Sequence, residues 1–362
     1  MLSRSGRHAA LLALILLLTT AGGAAAGQAA KPRPRPATRF GIAAGGALHN
    51  LSGRDLARTL DGVRAVGATR IRVDLNWALI QERGRTSYRW APFDRVVRAA
   101  RARGLYVLGV LLYTPRWAQP AGGTGTSPPV NLNDYAAFAQ RAAKHFGLRV
   151  EAYEIWNEPN IVNFWAPGPD PARYTQMLKL AYTAIKRADP KATVVSAGLS
   201  PYGSYGEADS QHMNPINFLE QMYANGAARS MDAVGWHPYN FPYGLGYSVS
   251  SAWSQMSETS PSARSVMTAN GDAKTRIWST EFGAPTGTSS RSLSEAAQAQ
   301  LISLAYAKLQ GWRWAGPGFL HSYRDRGLGT SVEDGFGLVR ADWSKKPSYR
   351  AYELRARGAG RR

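Results

Sequence analysis

Residues 154–160 read Glu154-Ile155-Trp156-Asn157-Glu158-Pro159-Asn160. The apolar, β-favouring run Val150–Trp156 stops abruptly at Asn-Glu-Pro-Asn, because proline and asparagine interrupt a strand. A carboxylate therefore stands where a strand runs out, with an indole beside it. The same figure recurs at Ile277-Trp278-Ser279-Thr280-Glu281-Phe282-Gly283. Outward from these two stretches, further short apolar runs come at Phe40–Ala44, Thr69–Asp74, Tyr106–Leu111, Thr193–Ala197, Ala233–His237 and Gly318–Ser322. Val150–Trp156 is then the fourth strand of eight and Arg276–Thr280 the seventh.

Amphipathic stretches lie between the runs. Leu56, Leu60 and Val63, and then Phe93, Val96, Val97 and Ala100, recur at helical spacing. Asp170-Pro171 supplies an N-cap and a first-turn proline for a helix that reaches about Asp189, with Pro190 closing it. Ser292 to Gln310 is a second long helix, ended by Gly311, and a short one follows Pro347. Eight such units in 362 residues predict an α/β fold, a (β/α)8 TIM barrel in a single domain. An open doubly wound sheet fits less well. Gly41-Ile42-Ala43-Ala44-Gly45-Gly46 lacks the glycine spacing of a dinucleotide fold, and there is no P-loop, H-E-x-x-H or G-x-S-x-G.

In such a barrel the chemistry collects where strands end, at the C-terminal face. Strands four and seven stand on roughly opposite sides, so Glu158 and Glu281 face one mouth. Retaining glycosidic cleavage needs this pair: one carboxylic acid protonates the leaving oxygen while the opposite carboxylate, about 5–5.5 Å away, attacks the anomeric carbon. Tryptophans next to both suit a sugar, whose ring presents apolar CH faces. Either glutamate alone could equally cap a helix or bind an arginine; the two together carry the reading.

On these motifs the chain resembles the clan-A glycoside hydrolases of the cellulase-like superfamily, families 39 and 5 in particular. The resemblance runs from Phe40 to about Tyr352, and Glu-Ile-Trp-Asn-Glu-Pro-Asn is its most specific part. It implies that Glu158 is the general acid/base, Glu281 the nucleophile and Asn157 the partner of the sugar 2-hydroxyl. It further implies that Arg72 orients the nucleophile, although a salt bridge from Arg72 to Glu154 inside the barrel would serve structure alone. His237 and Tyr239, in His237-Pro238-Tyr239, would flank the nucleophile, and Trp117, in Thr114-Pro115-Arg116-Trp117, would wall the nonreducing side. Trp77 and Trp165 follow strands two and four and are expected as sugar platforms. The eighth strand of the family brings a tryptophan to the mouth. Here it reads Phe319-Leu320-His321-Ser322-Tyr323, and Tyr323 is expected in the platform's place.

Composition narrows the alternatives. With no cysteine there is no disulfide scaffold, thiolate zinc site, iron–sulfur cluster or thiol nucleophile. The six histidines are scattered without a pair at ligand spacing, so neither metal nor organic cofactor is expected. The net charge is +20, and Arg4, Arg7, Lys31, Arg33, Arg35, Arg355, Arg357, Arg361 and Arg362 at the termini carry much of it. No basic cluster interleaved with aromatics accompanies it, so nucleic acid is not an expected partner; attraction to anionic wall or glycan surfaces suits the charge better. Arg4, Arg7 and His8, the apolar run Ala9–Leu18 and Ala24-Ala25-Ala26 read as a secretory signal peptide, the run being about half of what a bilayer crossing needs, with an uncleaved membrane anchor as the rival reading. The expected organisation is a signal peptide at 1–26, a Pro/Arg-rich spacer at 27–37, the barrel at 38–354 and a basic tail at 355–362. The expected function is that of a secreted, monomeric, retaining β-glycosidase acting on a β-linked polysaccharide or oligosaccharide outside the cytoplasm, with no stable membrane insertion. A non-hydrolytic carbohydrate-binding or cell-surface barrel and a transglycosylase are the competing readings.

Overall fold

The computed structural model describes residues 40–358 apart from 46–47, 246–247, 249–250 and 328–330. The expected signal segment and spacer lie outside the described residues. Eight parallel strands close into a barrel in sequence order: β1 (Phe40–Ala43), β2 (Arg70–Asn76), β3 (Tyr106–Leu112), β4 (Ala152–Ile155), β5 (Thr193–Ser196), β6 (Ala233–Trp236), β7 (Arg276–Phe282) and β8 (Ala315–His321). β8 pairs with β1, with Phe40 opposite Gly318 and Ala43 opposite His321, and this closes the ring. All eight expected strands are present, with ends displaced by up to three residues.

The helices start where local chemistry allows. Asp170 accepts from the Arg173 amide at 2.9 Å and Pro171 opens the helix Pro171–Ala188. The expected Ser292–Gln310 helix runs over Glu295–Gly311, capped by Ser294. The last helix, Pro347–Gly358, extends past the expected barrel boundary at 354. Arg355 and Arg357, expected in a basic tail, belong to it; Arg355 Nε donates to Ser303 Oγ at 3.0 Å and Arg357 pairs with Glu353 at 2.7 Å. Only the end of that tail, 359–362, is outside the described residues. No helix among the described residues is long and apolar enough to cross a membrane.

Two apolar clusters result. The larger fills the space between strands and helices, where β3 reads as a nearly continuous apolar run because both of its faces are covered. The smaller takes one residue from every strand but β2: Ala43, Leu108, Ala152, Val195, Ala233, Trp278 and Phe319. It fills the barrel interior with side chains, as a closed eight-strand barrel requires. Gly41 and Gly316 make room for its two large rings, since a Cβ on either would lie 2.4 Å from Phe319 or 2.2 Å from Trp278. The missing contributor, β2, carries arginines instead.

Candidate active site

All eight strand ends border one cleft of about 410 Å³, through Gly45, Asp74, Tyr113, Glu158, Ser200, Tyr239, Glu281 and His321 among others. Side chains alternate along a strand, so Arg72, two residues after Arg70, is inward like it but nearer the mouth. Arg72 is 3% exposed. Its three nitrogens serve three residues: Nε donates to Glu154 Oε2 at 2.6 Å, Nη2 to Asn157 Oδ1 at 2.7 Å, and Nη1 to Glu281 Oε1 in a very short contact. Orienting Glu281 and pairing with Glu154 were alternatives in the sequence; the guanidinium does both.

Glu281, near the end of β7, also accepts from the Tyr239 hydroxyl at 2.7 Å. Burial works to raise its carboxyl. The charge of Arg72 above all, then His237 and His321 and the Tyr239 hydrogen bond, bring it down to about 2, so it is ionised at neutral pH. Burial, together with Glu281, pushes the Tyr239 phenol far above its ordinary value and keeps it a donor.

Glu158 follows β4 on a contorted loop. Trp156 and Glu158 have φ of 73° and 43°, left-handed values that cost non-glycine residues about 1–3 kcal/mol each. Backbone hydrogen bonds impose the turn: the Trp156 amide donates to Leu111 at 3.0 Å and the Glu158 amide to Gly198 at 3.0 Å. The twist carries Glu158 over the mouth, where its Oε1 is 2.7 Å from His237 Nδ1. Asn157 spends its carbonyl on Arg72 and keeps its amide N–H groups for a ligand.

Glu158, His237 and Glu281 each bring one donor atom within 4.8 Å of the others. Among the described residues they are the set close enough to converge on a cation. His237 faces Thr280 as well as Glu158, and Glu281 faces Arg72 and Tyr239. The same spacing is that of two carboxylates working across one glycosidic bond with retention.

The structure thus brings together Arg72, Asn157, Glu158, His237, Tyr239 and Glu281. The expected aromatic platforms are elsewhere. Trp77 is wholly buried, because Asn76 caps a short helix there and swings the indole against Phe138, ring centres 5.5 Å apart. Trp117 packs edge-on against Trp77 and donates its indole N–H to the Gln81 carbonyl at 2.7 Å. Trp165 is 1% exposed, edge-on to Trp156 and Tyr174. Tyr323 points outward at helix Gly53–Ala65, its hydroxyl in the space that a Cβ on Gly62 would occupy. The cleft's aromatic surface comes instead from Tyr113, Phe164, Tyr239, Phe241 and Phe336.

Sequence reasoning also missed Asp74 and His321. Period-two alternation from Arg72 puts Asp74 in the same mouth, and that signal was available. Its carboxyl has no hydrogen bond or ion pair among the described residues, and burial, opposed by Arg72 and helped by Glu281 and Glu154, raises it to about 6. His321 ends β8, at the mouth where the platform was sought two residues later.

A closed parallel barrel with carboxylates after β4 and on β7, the second held by an arginine from β2, defines the clan-A glycoside hydrolases. The cellulase family, glycosyl hydrolase family 5, matches residues 40–316, and the chain belongs to it. Among solved structures, a family 39 glycoside hydrolase from Bacteroides cellulosilyticus WH2 shares 25% identity with a TM-score of 0.66, over 90% of this chain and 65% of its own. A monomeric β-xylosidase from Caulobacter crescentus CB15 shares 20% identity with a TM-score of 0.64, over 87% and 67%. A GH5_18 protein from Streptomyces cattleya, in complex with GlcNAc, shares 15% with a TM-score of 0.66, over 89% and 80%. The chain therefore spans about two thirds of the length of the first two. No curated protein matches it.

Proposed function

We propose that the protein is an exported, monomeric, retaining β-glycosidase that hydrolyses a β-linked polysaccharide or oligosaccharide. The observation that carries this reading is the pair Glu158 and Glu281, with oxygens within 4.8 Å across one cleft and Glu281 ionised against Arg72. In the first step Glu281 Oε attacks the anomeric carbon, the bond to the leaving oxygen breaks, and Glu158 gives that oxygen its proton. In the second, Glu158 takes a proton from water, the water oxygen bonds the same carbon, and the Glu281 carboxylate leaves. Asn157 donates to a sugar hydroxyl, an interaction that gains strength as the ring becomes oxocarbenium-like. Export rests on the apolar run Ala9–Leu18 and the small-residue site ending at Ala26.

The test is product release from β-linked glucans, xylans, mannans and galactans, with wild type and Glu281→Gln side by side. Release by wild type alone supports the reading, and product lengths give endo or exo action. Equal release by both removes Glu281 as nucleophile. Silence of a folded wild type across the panel, with glycan binding intact, favours the carbohydrate-binding alternative. For export, a mature protein starting at Gly27 is expected in the medium of an expressing bacterium.

A further inference from the structure

The acid/base does not stand alone on its loop. Behind it runs a buried chain of polar groups from β2 to β6. Glu154, wholly buried on β4, accepts from Arg72 Nε at 2.6 Å, from the Gly198 amide at 2.9 Å and from the Thr280 hydroxyl at 2.9 Å. Thr280 Oγ1 is 3.1 Å from His237 Nε2, and His237 Nδ1 is 2.7 Å from Glu158 Oε1. From these contacts we infer that Thr280, the residue before the nucleophile, is a positioning residue that fixes the tautomer of His237 and thereby the hydrogen bond made to Glu158. The inference rests on the acid/base role proposed above for Glu158.

The directions follow from what each group can do. Glu154, paired with a guanidinium, is acceptor-only, and a threonine hydroxyl has one proton to give. That proton goes to Glu154, because otherwise two oxygens would face each other lone pair to lone pair at 2.9 Å. Thr280 Oγ1 can then only accept from His237, so Nε2 carries a hydrogen. Nδ1 is left as the nitrogen that shares one proton with Glu158. The neutral imidazole accepts from the carboxylic acid; the imidazolium donates to the carboxylate. In the first step of catalysis the pair loses that proton to the leaving oxygen through Glu158, and in the second it regains one from water. Carboxylates face both ring nitrogens: Glu154 lies 4.0 Å from Nε2, and Glu281 lies 3.9 Å from Nδ1, beside Glu158. Gly198 is part of the same device: a Cβ there would lie 2.1 Å from His237 Nε2 and 2.5 Å from Thr280 Oγ1.

The experiment is nitrogen-15 NMR of the histidine rings in the full-length mature protein, with the His237 signals assigned by their loss in His237→Gln. Wild type is expected to show a proton on Nε2 throughout the pH range of the folded state. Thr280→Ser should keep it, while Thr280→Val should release the ring to the Nδ1–H form. A neutral Nδ1–H tautomer in wild type overturns the inference without any substrate and whatever Thr280→Val does to the fold. In kinetics on the panel glycan that wild type cleaves best, Thr280→Val should move the basic limb of the kcat/KM profile to lower pH by about one unit, and Thr280→Ser should restore it. A folded Thr280→Val with the wild-type ring spectrum and the wild-type pH profile also overturns it. A wild type with the expected tautomer and no hydrolysis overturns only the glycosidase reading.

Discussion

The barrel interior changes character along its axis. Below lies the apolar plug, in which Ala43, Ala152 and Ala233 leave the space that Trp278 and Phe319 take up. Above it lies the polar cage of Arg72, Glu154, Thr280, His237 and the two mouth glutamates. The plug is held by contact and the exclusion of water, forces without direction, so volume is what its members must supply. In the cage each of these side chains has a hydrogen-bond partner, and removing one group leaves another buried and unpaired, at a cost beyond the lost bond. The two regions meet on β4 and β7, where Ala152 and Glu154, and Trp278 and Thr280, stand two residues apart, while β2 gives the plug nothing and the cage its arginine. Two residues along a strand thus separate a part that sets stability alone from a part that also sets chemistry.

That separation can be broken by experiment. The largest effect is expected at Glu281→Gln: a loss of kcat on the order of 10⁴-fold with the melting temperature within a few degrees of wild type, since Arg72 keeps Glu154. Activity near wild type would end the assignment. Glu158→Ala should cost about 10²–10⁴-fold on glycosides with poor leaving groups and far less on activated aryl glycosides, with partial rescue of the latter by azide. Equal losses on both kinds would show that Glu158 donates no proton.

Next come two variants that set the regions against each other. Arg72→Met leaves Glu154 buried without its counter-charge, and urea unfolding should show a loss of about 3–5 kcal/mol together with lost activity. Phe319→Ala should lower stability by a similar amount, about 3–5 kcal/mol, while kcat per folded molecule stays near wild type. If Phe319→Ala impairs kcat as Arg72→Met does, plug and cage are not separable.

The smallest effect is a pH dependence of stability. Glu281 lies at about 2 against an ordinary 4.5, so its contribution is complete above 4.5 and lost as pH falls toward 2. Asp74 works in the opposite sense: raised to about 6 from 3.8, its contribution is complete below 3.8 and lost as pH rises through 6. Asp74→Asn should therefore gain on wild type in melting temperature as pH rises from 4 to 7, and parallel curves would show that Asp74 is not strained by burial.

The barrel, the strand order and the two glutamates were legible because they depend on neighbours in the chain. Period-two runs, the proline after Glu158 and the cap at Asp170 act over a few residues, and strand ends in a closed barrel share one mouth whatever surrounds them. The tryptophans were misread for the opposite reason. An indole just past a strand can turn to the cleft or to the helical layer, and Trp77 turned to the helical layer because Asn76 caps a helix there. The position of Tyr323 depended on an opening at Gly62, far away in sequence. Asp74 was within reach of the alternation rule, but a lone carboxylate without a partner motif gave no reason to choose it. Local pattern therefore determined which elements form and where the carboxylates emerge. Only the tertiary structure decided which way each large ring turns, how Arg72 divides its hydrogen bonds and how Thr280 comes to face His237. Those outcomes depend on close packing and directional hydrogen bonds between residues brought together by the closed barrel.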